Sequence, residues 1–223
     1  MLPAKITLAK TFQLIRSDMQ FRCDYEHKKL NPLRVLSFML NHAALSQVIY
    51  RLQMFFYGHH LGFFGGLLSG INSMLFTVNI DYRTSIGPRL LILHANYINI
   101  GKNVTLGEGC ILAHQNSIAP AFTIDALGAG SDLGPTIGNG VLFGAGSVVT
   151  GNISIGDFSK IAINSAVDKS FAEYAVLFGV PARNTNKSKA APATSQGVDE
   201  QLNPDASRAS TTQVDTTDSA EGN

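Results

Sequence analysis

Along the second half of the chain an apolar residue returns at every sixth position: Ile80, Ile86, Ile92, Ile98, Val104 and Cys110, then, after a break, Ile137, Phe143, Val149, Ile155, Ile161 and Val167. A period of six matches neither the turn of a helix nor the alternation of a half-buried strand. It fits a coil of short strands in which each turn stacks an apolar residue on the one beneath. The pattern predicts a mainly β chain whose residues 79–183 form a parallel β-helix. Small residues punctuate the repeat: Gly follows the apolar position at Gly87, Gly138, Gly144 and Gly156, with Gly101, Asn103, Gly107, Gly109, Gly140, Gly146, Gly151 and Asn152 nearby. A chain that turns a corner every few residues needs backbone angles that Gly and Asn reach at little steric cost. The competing fold, an antiparallel β-sandwich, spaces its strands about 8–12 residues apart.

Residues 1–78 lack the period and read as a short helical region, with apolar residues at mixed spacings of three and four from Leu33 to Phe56. Asn31 before Pro32 suits a helix start with Pro at the first helical position. The run from Met54 to Val78 is apolar and approaches the length of a bilayer span, yet it holds His59, His60, Asn72 and five glycines, which make an inserted helix costly. Packing against the coil or a neighbouring subunit is the favoured reading, with peripheral membrane contact and a true span as alternatives. Between residues 111 and 136 the repeat changes phase, which predicts an insertion or loop projecting from the coil, where binding groups often sit. From about Asn184 to Asn223 small and polar residues dominate, a composition that buries too little surface to offset its ordering entropy and predicts a disordered tail.

At 223 residues and 45% hydrophobic content the chain can bury a substantial core. A formal net charge of +1 with no compact basic run gives no reason to expect nucleic acid. Cys23 and Cys110 make no disulfide framework, and the first twenty residues carry Lys5, Lys10, Arg16 and Asp18 without a long apolar stretch, so a cytoplasmic location is expected, with the inner face of the membrane as an option. No metal is expected.

His94, in Ile92-Leu93-His94-Ala95-Asn96, stands out on so regular a coil. The segment Ile86-Gly87-Pro88-Arg89-Leu90-Leu91-Ile92-Leu93-His94-Ala95-Asn96-Tyr97-Ile98-Asn99-Ile100-Gly101 resembles the serine acetyltransferase branch of the left-handed β-helix hexapeptide acyltransferases. The likeness extends to Pro135–Ile153, to Ser159-Lys160-Ile161-Ala162 and to the closing Gly179-Val180-Pro181-Ala182-Arg183, covering roughly residues 76–183. It implies a left-handed coil, acetyl-CoA as co-substrate and a homotrimer with cofactor grooves between neighbouring coils. It also implies His94 as the base that takes a hydroxyl proton, a role suited to neutral imidazole. By the same likeness Gly144, Ala145, Gly146, Ser147, Lys160 and Arg183 fall where coenzyme A is held. Simple corner geometry is the other reading of Ala145 and Gly146, and a solvated charge that of Lys160.

Two departures shape the expectation. Fifteen residues before the catalytic His the family carries an Asp, and this chain has Asn79. An amide can hold a tautomer but cannot stabilise imidazolium by charge. Asp81, two residues on, is either its substitute or a turn acid. Where the family presents Asp-Arg-His-Pro, this chain reads Asp132-Leu133-Gly134-Pro135, without the Arg that would pair with an amino-acid carboxylate. The helical region is shorter than that of serine acetyltransferases, and its Leu14-Ile15-Arg16-Ser17-Asp18 followed by Tyr50-Arg51-Leu52 resembles the short-capped exopolysaccharide and capsule (colanic acid-type) members. With the Arg missing, that resemblance implies an O-acetyltransferase acting on a saccharide or lipid-linked sugar, with Asp132 and His114 near the acceptor; His114 is otherwise structural. The alternatives are a catalytically weak or inactive scaffold in a biosynthetic complex, and a serine O-acetyltransferase.

Overall fold

The computed structural model describes residues 5–121 and 133–186. Four helices come first: α1 (Leu8–Tyr25), α2 (Pro32–Phe38), α3 (His42–Gly58) and α4 (Gly62–Phe76). The helix starts follow the local chemistry. The Asn31 side chain accepts from the Arg34 N–H at 2.8 Å with Pro32 at the first position, and Asn41 does the same for Ala44 at 3.0 Å. Among the described residues no helix is long and apolar enough to cross a membrane.

From Val78 the chain winds into a parallel β-helix of three sheets. The first stacks Val78–Ile80, Ile98–Ile100, Ser117–Ala119, Val148–Thr150 and Ala166–Val167. The second stacks Ser85–Ile86, Thr105–Leu106, Thr136–Ile137 and Ser154–Ile155. The third holds Leu91–Ile92, Ile111–Leu112, Leu142–Phe143, Lys160–Ile161 and Val176–Phe178, closed by the antiparallel Arg183–Asn184. Every residue of the six-residue series is buried. Each such burial is worth about 1.5–3 kcal/mol, so stacking them along the axis is the main force holding the coil.

The structure corrects how that series is phased. Two residues per side point inward, two positions apart, as at Val78 and Ile80, Ile98 and Ile100, Val104 and Leu106, or Cys110 and Leu112. Ile80, Ile86 and Ile92 occupy the second of these positions, whereas Ile98, Val104 and Cys110 occupy the first. The slip arises because Ile92 and Ile100 are eight residues apart, so the corner between them holds two extra residues. Register says the same: Ile80 pairs with Ile100, twenty residues on, whereas Ile100 pairs with Ile118 after eighteen.

A second correction concerns residues 111–136. The coil stays in register through Ala119, with Ile111–Leu112 and Ser117–Ala119 both paired to strands above and below. The change of phase falls between Ala119 and Thr136, and residues 122–132, Asp132 among them, lie outside the described residues. So does residues 187–223 of the expected tail.

Several first inward positions are polar: Thr84, Asn116, Ser147, Ser159 and Ser165 are all buried. Thr84, Asn116, Ser159 and Ser165 bond backbone at a corner, and Ser147 bonds the Asn116 side chain; Asn116 Nδ2 donates to Gly144 O at 2.7 Å and to Ser147 Oγ at 2.9 Å, and Ser159 Oγ donates to Gly156 O at 2.8 Å. Such partners offset the cost of burying a hydroxyl or amide.

The helices close the open end of the coil. The first turn has no coil above it, so its outer backbone groups would be left as an unpaired edge. Side chains of α1 and α3 take that place. Gln53 Nε2 donates to Ile80 O at 3.0 Å, and Arg51 donates to Ile86 O at 2.8 Å and Gly87 O at 2.7 Å. Asp18 accepts from the Leu90 N–H at 2.9 Å, Gln47 Nε2 donates to Leu90 O at 2.6 Å, and Arg22 donates to Ile92 O. Ala43, Ile49, Tyr50 and Phe76 join the same apolar cluster as the coil, so helices and coil form one compact unit.

Candidate active site

His94 lies on the expanded corner between the third and first sheets, and its side chain is exposed. In the regular corners of this column the residue with positive φ comes three after the inward residue: Gln115 after Leu112, Gly146 after Phe143 and Asn164 after Ile161. In the first coil it is Tyr97, five after Ile92. The corner that carries the exposed His94 is thus two residues longer than the corners below it.

The end of α4 fastens this corner. Thr77 caps α4 in the left-handed region, its Oγ1 accepts from the Tyr97 N–H at 2.9 Å and lies 3.4 Å from Asn96 Oδ1, and its carbonyl accepts from the Ile98 N–H at 3.1 Å. Neither Thr77 nor Asn96 stands out in the sequence. Their signal is only visible once the extra two residues of the corner are recognised.

The corner below brings His114 to His94. The two rings stand edge to face with centroids 5.7 Å apart and an interplanar angle of 71°. His114 is half-buried and sits on a corner of regular size, its carbonyl accepting from the Gly146 N–H at 2.9 Å. The next corner carries Gly144, Ala145, Gly146 and Ser147, so His94, His114 and these residues share one column.

Within that column the predicted cofactor residues divide by direction. Gly144 and Gly146 are required by close approach: a Cβ at Gly144 would meet Ile163 N at 2.6 Å, and one at Gly146, whose φ is +71°, would meet Asn164 Oδ1 at 2.1 Å. Ala145 is half-buried. Ser147 is a correction, because its hydroxyl points into the coil and bonds Asn116, leaving none of it to face a groove. Lys160 and Arg183 are exposed on the third sheet, flanking the strand Val176–Phe178 from either side, Lys160 opposite Val176 and Arg183 opposite Phe178. Two cations beside an exposed strand suit the phosphates of a nucleotide carrier.

The residues expected to support the imidazole are not brought to it. Asn79 is exposed on the first sheet and donates to Asn99 Oδ1 at 3.3 Å. Asp81 lies past the far end of its strand from the His94 corner and binds Arg83 through both oxygens, at 2.9 and 2.8 Å, with a further bond from the Arg83 N–H at 2.8 Å. Burial alone would raise the Asp81 carboxyl, but the Arg83 bonds and charge outweigh it and hold the group below the usual carboxylate range. Asp81 is therefore a turn acid, committed to its neighbour two residues on, and this corrects its reading as a substitute base partner. Among the described residues neither Asn79 nor Asp81 hydrogen-bonds the His94 ring. Among the same residues no group of three or more His, Cys, Asp or Glu is placed to hold a metal ion.

Comparison with known proteins points to one kind of relative. No family model matches the chain. The chain is 35% identical over 120 residues to a serine acetyltransferase of Haemophilus influenzae, a match covering 53% of this chain and 43% of that protein. It thus spans less than half the length of the first of the curated relatives it matches. Among solved structures, serine acetyltransferase from Brucella abortus superposes with a TM-score of 0.68 at 27% identity, covering 79% of this chain and 69% of that one. The same enzyme in complex with coenzyme A gives 0.69 at 26%, covering 80% and 68%. The parallel β-helix with helices before it is common to this chain and the two solved structures.

Proposed function

We propose that the protein is an acetyl-CoA-dependent O-acetyltransferase with His94 as its base and a small hydroxylated amino acid, serine first, as acceptor. The observation that carries the reading is the exposed imidazole of His94, set on the one expanded corner of an otherwise regular column that also holds His114, Ala145 and Gly146. The relatives named for serine support the acceptor. The saccharide acceptor expected from the missing Arg and the short helical region finds no counterpart among them, and Asp132, expected near that acceptor, is outside the described residues.

In the reaction the acceptor hydroxyl gives its proton to a ring nitrogen of His94 while its oxygen attacks the thioester carbonyl carbon. The carbonyl electrons move onto oxygen, where backbone N–H groups of the glycine-rich corners are the available donors. As the tetrahedral carbon collapses the C–S bond breaks, and the leaving sulfur takes the proton from imidazolium. The products are an O-acetyl ester and free coenzyme A, and His94 returns neutral. A positioned general base of this kind contributes roughly 10²–10⁴ in rate. Gly144, Ala145 and Gly146 bound the pantetheine path, Lys160 and Arg183 face the phosphates, and a neighbouring copy of the chain completes the groove.

The test follows thiol release from acetyl-CoA with L-serine, with simple glycosides and with no acceptor. Serine-dependent release supports the proposal. Release with glycosides alone replaces the acceptor, and equal background in all arms rejects the enzyme in favour of a scaffold.

A further inference from the structure

The base needs a group that fixes its tautomer, and the two residues at the expected places are engaged elsewhere, Asn79 with Asn99 and Asp81 with Arg83. A neutral imidazole donates from one nitrogen and accepts at the other, and which does which is set by what touches the ring. If the donor nitrogen faced the acceptor hydroxyl, the base would be absent. Among the described residues the ring set against His94 is that of His114.

We propose that His114 is the positioning residue of His94, in the role a carboxylate would otherwise play: a ring nitrogen of His114 accepts the N–H of His94 and leaves the other His94 nitrogen free for the hydroxyl proton. The inference rests on the acetyltransferase reading for its kinetic consequence but not for the contact itself. An edge-on N–H···N bond of about 3 Å puts two imidazole centroids roughly 5.3 Å apart, and such a bond is compatible with steeply inclined rings. The separation of 5.7 Å at 71° is a small side-chain adjustment away.

The supports of the two residues differ in the direction the role requires. His114 sits on a corner of regular length, locked by Gly146 N–H on its carbonyl and followed by Asn116, whose amide is tied to Gly144 O and Ser147 Oγ. His94 sits on the corner with two extra residues. A ring on the looser corner gains most from a partner on the stiffer one, because the ordering entropy has already been spent in the fold. Imidazole also differs from carboxylate in consequence: being neutral it fixes geometry without adding charge stabilisation to imidazolium.

Selective ¹⁵N-histidine labelling of the full chain reads the His94 tautomer directly, with the His94→Ala protein identifying its signals. The wild type is expected to show one tautomer, His114→Ala a mixture, and His114→Gln, which keeps an acceptor, a return towards one. In parallel kcat falls roughly tenfold or more in His114→Ala with little change in the acceptor KM. A His94 tautomer unchanged in His114→Ala overturns the inference, and so does an unchanged kcat. If the wild type shows no turnover while the tautomer still responds to His114, the enzymatic reading fails and the positioning contact stands.

Discussion

The Asp18 carboxylate and the Arg51 guanidinium meet through two bonds, at 2.9 and 3.1 Å, in the seam between helices and coil, and each also bonds the open edge of the first coil. Both side chains are almost wholly buried. The pair therefore does two things at once: each charge neutralises the other, and together they stand in for the missing strand. Removing one partner leaves a buried charge and an unpaired backbone edge. Asp18→Ala is expected to lower unfolding free energy by about 3–5 kcal/mol, measured by urea denaturation. A change under about 1 kcal/mol would show that the edge is satisfied without the pair.

Cys110 gives a pH-dependent prediction. Burial pushes its thiol up from 9.0 to about 11, and the thiolate is therefore disfavoured in the folded chain. The folded value lies above the unfolded one, so the stabilisation is fully present below pH 9 and is lost as pH rises towards 11. Two consequences are measurable. The native protein should resist thiol reagents at neutral pH, and its stability should fall between pH 9 and 11 more steeply than that of Cys110→Ala. Comparison with the variant isolates the thiol from Tyr50, whose buried phenol is also pushed up. Parallel curves for the two proteins would contradict the assignment.

Gly146→Ala should strain the cofactor corner. Its φ of +71° disfavours a side chain, and the new Cβ would meet Asn164 Oδ1. A cost of about 1–3 kcal/mol is expected in thermal unfolding, with weaker coenzyme A binding. Adding Asn164→Ala removes the steric part, leaves the φ part, and should recover some of both. Failure of the second change to help would place the strain elsewhere.

Thr77→Val keeps the shape of the cap but deletes the hydroxyl that accepts the Tyr97 N–H. Because that bond fastens the expanded corner to α4, the variant is expected to lose about 1 kcal/mol of stability and several-fold in turnover, with coenzyme A affinity kept. Equal loss in coenzyme A affinity and turnover would mean a general collapse of the corner.

How much of this is legible in the sequence differs by element. Ile137, Phe143, Val149, Ile155, Ile161 and Val167 announce the coil because burial alone selects them, and each stacks on an equivalent residue one turn away. The slip at the first corner is hidden because Ile98 and Ile100 are both apolar and both buried, so the six-residue count runs on unbroken through the wrong inward position. Ser147 reads as a groove residue until its hydroxyl is seen bonded to Asn116 inside the coil. Arg22, Gln47, Arg51 and Gln53 look like the polar face of solvated helices, since nothing local says that they meet backbone some 27 to 70 residues away. Asp81 is the reverse case: its partner is only two residues on, yet a residue spacing to His94 alone directs attention to the wrong neighbour. His94 itself is legible as an oddity on a smooth coil, and the ring against it is not, because contact between successive turns depends on the extra length of the corner.

The most direct test of the central claim is the pre-steady-state rate of coenzyme A release with acetyl-CoA and L-serine, wild type against His94→Ala, with coenzyme A affinity measured on the same preparations. The account predicts a loss of roughly 10²–10⁴ in the rate at unchanged affinity. Equal rates at equal affinity would show that the imidazole takes no part in the chemistry.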